Sequence, residues 1–215
     1  MREHQNFVCT VLMAPFKFHN ILSNGNVIKY ILCFTISIIL LSCTHSGARK
    51  SQEAIVKDYI DDLNKSDFSR ISEVIHDSIM TIEGGLVGCK NKSEFYTIFQ
   101  WDSVFSPVYK IKSIEKNEQN IEAIISKECD RIRFLHDSAT VYRSVFEFQG
   151  DMIVKISNIE DIVFDLQKWV SRRDTLVNWI DQNYPDLSGF VFDQTMQGAK
   201  NYLKAISLYN GKNVP

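Results

Sequence analysis

The first feature in the pattern of apolar and polar positions is an apolar run from Tyr30 to Leu41, after which the period becomes helical. Ser51 stands where an N-cap belongs, with Glu53 and Ala54 in the first turn. Ile55, Val56, Tyr59, Ile60 and Leu63 then recur on one face, opposite Lys57, Asp58, Asp61 and Asp62. Asn64-Lys65-Ser66-Asp67 breaks the pattern. A short second helix follows, with Phe68, Ile71, Val74 and Ile75 on its buried side. Past His76-Asp77, the runs Ser78 to Ile82 and Leu86 to Cys89 flank Glu83-Gly84-Gly85 and predict a hairpin. Asn91 or Ser93 can cap a third helix presenting Phe95, Ile98 and Phe99, and Trp101 and Pro107 punctuate its exit.

From Tyr109 the period becomes two. Tyr109 to Glu115, Ile121 to Cys129, Ala139 to Gln149 and Met152 to Ile159 each suit a strand, with polar turns between them, so an antiparallel meander is expected. The remainder returns to helical spacing. Leu166, Trp169, Val170, Arg173, Leu176, Val177 and Ile180 mark one helix, ended by Tyr184-Pro185-Asp186. Met196, Ala199, Leu203 and Ile206 mark another, fraying at Asn210-Gly211. Three helices, a meander and an αα-hairpin make an α+β chain.

That order of elements resembles the cone-shaped NTF2-like (SnoaL-like) fold. Local stretches agree with it. Tyr59 to Phe68 looks like that family's turn from helix one into helix two, and Val145 to Ile156 is similar to its last hairpin. The resemblance covers residues 51–160 and implies three N-terminal helices on a curved antiparallel sheet. Residues 161–215 add a C-terminal helical hairpin that can close the cone, support the outer face of the sheet or form a dimer contact. The family also implies an apolar chamber between sheet and helices, suited to a small apolar ligand. Tyr142, Ser144, Phe146 and Phe148 project to one face of their strand. Tyr142 and Ser144, with Trp101 near the mouth and Asn158 near the end of the last strand, are the candidate pocket residues. The competing reading is that aromatic residues fill the cone and the polar ones satisfy local backbone groups.

The apolar run decides where the working protein begins. Lys29 precedes it, and Leu40-Leu41-Ser42-Cys43 closes it with a small residue before a cysteine. The core, Ile31 to Leu41, is shorter than the roughly 20 residues that span a bilayer. The ending resembles the lipobox of bacterial lipoproteins, which implies Cys43 as the lipid attachment site. Residues 1–42 then form the leader, with translation starting at Met1 or as late as Met13 or beyond, and residues 43–50 the lipidated cysteine and tether. The expected location is a bacterial cell envelope, with the domain anchored to a membrane and facing the periplasm or the cell surface.

Composition narrows the function. Taking Arg2, Lys17, Lys29 and Glu3 from the 24 basic and 26 acidic residues leaves 21 against 25, too acidic for a nucleic-acid footprint. Neither CxxC nor HExxH occurs, and His45, His76 and His136 are scattered, so no metal or other cofactor is expected. Cys89 and Cys129 either pair or remain two buried thiols. His76-Asp77 reads as a helix end and His136-Asp137 as a turn between strands, while Glu128 and Asp130 disfavour a thiolate at Cys129. The expectation is a membrane-anchored module that binds a small apolar ligand or a protein partner. The rivals are an isomerase-, dehydratase- or hydrolase-type enzyme using Tyr142, Ser144 or His76, and a structural homodimer of the envelope.

Overall fold

The computed structural model describes residues 50–211. The leader, Cys43 and the tether up to Arg49 lie outside the described residues.

Helix α1 spans Gln52–Asn64, and the Ser51 hydroxyl accepts the Ala54 N–H at its start. Ile55, Val56, Tyr59 and Ile60 are buried on its inner face, as the spacing predicts. Its last residue does more than end it: the Asn64 carboxamide accepts the Tyr109 N–H at 2.7 Å and donates to the Tyr109 carbonyl at 3.0 Å. Helix α2 (Phe68–Val74) is capped by Asp67. Helix α3 (Lys92–Ser103) takes Asn91 as its cap, and Glu94 reaches back to accept from the Lys90 N–H and the Asn91 side-chain amide.

Six strands form one sheet in the order β2-β1-β6-β5-β4-β3. They are β1 (Ile75–Glu83), β2 (Leu86–Cys89), β3 (Val108–Asn117), β4 (Asn120–Glu128), β5 (Thr140–Gln149) and β6 (Met152–Val163). Gly84 and Gly85, both at positive φ, make the turn between β1 and β2, a conformation a Cβ would strain. Register shifts interrupt the β3–β4 pairing once and the β5–β6 pairing three times. Such bulges bend and twist strands, and they give the sheet its curvature.

Four expectations need correction. The sheet is not wholly antiparallel, because β1 runs parallel to β6, with Ile75 opposite Ile153. The whole meander separates these strands in sequence, so no tight turn fixes their relative direction. Ile75 therefore opens a strand rather than closing α2, and His76 and Asp77 are strand residues. A further helix, α4 (Asp130–His136), stands where a turn between strands was expected, and its C-cap Asp137 has φ 74. Lastly, β6 continues past Ile159, since Glu160 and Asp161 pair across to Arg143 and Tyr142.

The C-terminal hairpin comprises α5 (Leu166–Asn183) and α6 (Met196–Gly211), joined through short turns at Pro185–Leu187 and Phe190–Phe192. It packs with the C-terminal half of α3 and with α4. Residue 198 must be glycine, because a Cβ there would lie 2.0 Å from the Asp193 carbonyl oxygen.

Two hydrophobic cores result. The first lies between α1–α3 and the concave sheet, with Ile71, Ile79, Ile121, Phe146 and Ile153 fully buried. The second joins Phe105, Ile132, Leu135, Leu176, Ile180, Ala199 and Tyr202 among the helices.

Candidate functional site

Three of the four expected pocket residues meet on the sheet. Ser144 and Asn158 are cross-strand partners, and the serine hydroxyl donates to the Asn158 side-chain oxygen at 2.6 Å. Tyr142 packs against the first core, and burial, with the nearby Tyr59 and Asp102, pushes its hydroxyl pKa far up. Trp101 does not join them. It packs in the second core, with its ring centroid 4.9 Å from that of Phe105.

The most concentrated polar chemistry lies between these places, on residues the sequence did not single out. Tyr109 and Lys127 are directly opposed on β3 and β4. Asp102, at the end of α3, reaches both: one carboxylate oxygen accepts from the Tyr109 hydroxyl at 2.5 Å, the other from the Lys127 ammonium at 2.6 Å. The ammonium also lies 5.0 Å from the centroid of the Tyr109 ring. Lys127 was readable in principle, because alternation from Ile121, Ala123 and Ile125 places it on the inner face. Its charge disguised it.

Electrostatics makes this set self-contained. Burial alone would push the Asp102 carboxyl up. The charge and hydrogen bond of Lys127, the Tyr109 hydroxyl and the charge of Arg131 outweigh it, so the group sits below its ordinary value. Burial, and then the Asp102 charge, raise Tyr109 well above the ordinary tyrosine value. Tyr59 is raised by burial as well. The result is an ionised carboxylate with both oxygens engaged, surrounded by phenols that remain protonated. A general base needs a free lone pair within reach of a substrate proton. Each Asp102 oxygen keeps a second lone pair, but the carboxylate is paired with Lys127 and its pKa is held down, which makes it a weak base.

At the junction between the cores the situation differs. The Arg131 guanidinium lies 4.7 Å from the Trp101 ring, 5.0 Å from Trp169 and 5.6 Å from Phe105. The Arg131 Nε and the Trp101 Nε1 are both buried and have no hydrogen-bond partner.

The remaining sequence candidates are structural. His76 bonds Ser78 while Asp77 pairs with Lys92 at 2.9 Å, so the two do not form a dyad. His136 is buried rather than in an exposed turn. Its Nε2 accepts the Asp165 N–H at 2.8 Å, which leaves Nδ1 to donate to the Ser138 carbonyl. Asp137 is held by a two-pronged contact with Arg172. Cys129 is a helix cap whose thiol pKa is raised chiefly by burial, and the neighbouring Glu128 and Asp130 are both engaged by Arg133. Cys89 and Cys129 are free thiols. Among the described residues no group of His, Cys, Asp and Glu could hold a metal ion. An open cleft of about 790 Å³ lies over α4, α5 and α6, lined by Phe134, Arg172, Leu203, Ile206 and Tyr209 among others.

No family model matches the chain, and no curated protein matches it. Solved structures do. An NTF2-like protein of unknown function from Cytophaga hutchinsonii is 7% identical, over 53% of this chain and 92% of that one, with a TM-score of 0.45. A protein of unknown function with a cystatin-like fold from Methylobium petroleophilum is 10% identical, over 56% and 81%, with a TM-score of 0.45. An epoxide hydrolase/cyclase-like enzyme of pyran ring formation in salinomycin is 13% identical, over 49% and 87%, with a TM-score of 0.43.

Proposed function

We infer that this chain is a lipid-anchored, non-catalytic binding module of a bacterial cell envelope. One observation carries the non-catalytic part: Asp102 is paired with Lys127 and bonded by Tyr109 beside a packed core, and its depressed pKa makes it a weak base. The tyrosines around it are held protonated, and Ser144 is bonded to Asn158. The anchor rests on the apolar run ending in Leu40-Leu41-Ser42-Cys43. The module then presents its ligand- or partner-binding surface from the membrane, with the helical layer of α4, α5 and α6 supplying the open concavity.

The anchor is tested by feeding cells an alkyne-tagged fatty acid and comparing the full chain with Cys43→Ala. Label on the first and none on the second supports it; label on both removes Cys43 from the argument. Native mass spectrometry of the full chain, before and after organic extraction, tests the binding role. An adduct lost on extraction supports it.

A second reading has one observation in its favour. Asp102, Tyr109 and Tyr142 are the residue types that acid–base chemistry uses in such a chamber, and the Asp102 charge is felt by both tyrosines. Recovery of the ligand in a chemically converted form, abolished by Asp102→Asn, would favour this enzyme over the binding module.

A further inference from the structure

Within the cone the polar groups are matched, whereas at the junction two donors are left over. A buried N–H without an acceptor is rare in folded proteins and calls for an explanation. Here there are two, the Arg131 Nε and the Trp101 Nε1, and the guanidinium that carries one lies against the indole that carries the other.

Charge points the same way. The carboxylate that acts on Arg131 is Asp102, yet both Asp102 oxygens are already bonded, to Tyr109 and Lys127. Two cations thus share one anion. Arg173 of α5 acts on Tyr202 together with Arg131, but it is tied to Asp174. Among the described residues, Arg131 has no ion pair of its own.

We propose that Arg131 and Trp101 form the seat of a carboxylate carried by a ligand with a small apolar body. A guanidinium presents its N–H groups as a rigid planar fork that matches a carboxylate with two parallel hydrogen bonds. The Trp101 Nε1–H supplies a further donor. Trp101, Trp169 and Phe105 wall the guanidinium itself in apolar rings. These walls favour a singly charged group on an aliphatic or aromatic body over a doubly charged, strongly hydrated phosphate. The proposal rests on the binding reading and adds a ligand class to it, at side chains other than those that line the cleft over α4, α5 and α6.

The test is a titration of the full chain, in non-ionic detergent, with butyrate, butanol and inorganic phosphate. It is read by tryptophan fluorescence and by the nitrogen–proton correlation signals of the indoles. Butyrate should produce a saturable shift of the Trp101 indole signal, with no response to butanol and a weaker one to phosphate. Arg131→Lys keeps the charge but loses the fork, and should weaken butyrate about tenfold or more. Trp101→Phe keeps the ring and loses the donor, and should weaken it by a smaller factor. Circular dichroism and the thermal midpoint confirm that both variants are folded. No saturable response in the unmodified chain, an equal response to butanol, or unchanged affinity in Arg131→Lys would overturn the seat. A ligand that co-purifies with the chain but ignores Arg131→Lys would also overturn it, while leaving the binding module standing.

Discussion

The two cores are built from the same kinds of side chain but differ in how they treat polarity. In the cone, Asp102 is shared between Tyr109 and Lys127, Asn64 satisfies both backbone groups of Tyr109, and Ser144 is bonded to Asn158. In the helical core, Arg131 and Trp101 bring buried donors to aromatic walls and find no acceptor. A matched interior explains itself as stability. An unmatched one is where we place the proposed carboxylate.

The sharpest way to break this contrast is a pair of substitutions followed by chemical denaturation. Asp102→Ala strands Lys127 as a buried cation and should cost about 3–5 kcal/mol. Arg131→Met removes a charge with no partner and should change stability by no more than about 1 kcal/mol in the absence of ligand. Equal losses would mean that the junction is as closed as the cone.

The second largest effect is expected at Asn64, where Asn64→Ala leaves the Tyr109 N–H and carbonyl to be satisfied some other way, at about 1–3 kcal/mol.

Acid then separates the matched carboxylate from the rest. The Asp102 pKa is depressed in the folded chain, so its contribution is complete above the unfolded value near pH 4 and is lost as the pH falls through the lower folded value. Asp102→Asn should flatten the decline of the thermal midpoint in that window. At the alkaline end the sign reverses. Tyr59, Tyr109, Tyr142 and Tyr202 have raised values, so their contribution holds below about pH 10 and is lost above it. Ultraviolet difference spectra should show these four ionising only with unfolding. The smallest effect is expected for His76→Ala, whose midpoint should match that of the unmodified chain, because the ring bonds only a nearby serine on an exposed stretch.

Much of the architecture was legible because local chemistry and tertiary structure agree. Ser51 and Asn91 cap the helices their spacing announces, and the four meander strands lie close to where alternation places them. The misses have physical causes. Helix α4 is short and dense in charge, and its cap is a cysteine, so no ordinary start signal marks it. The parallel pairing of β1 with β6 joins distant segments and leaves no local trace. Strand alternation marked Ser144, a place near the end of the last strand marked Asn158, and the pairing of β5 with β6 sets them opposite each other. Asp102 escaped because helical spacing marks apolar faces and says little about which carboxylate will turn inward.

The two thiols offer a final use. Cys89 is sealed in the first core and Cys129 in the second. A thiol-reactive reagent meets neither while the chain is folded. Each thiol is therefore a natural clock for the opening of its own half. If the halves breathe as one cooperative body, both cysteines will be alkylated at a single rate; if the helical layer can lift from the cone, Cys129 will react first.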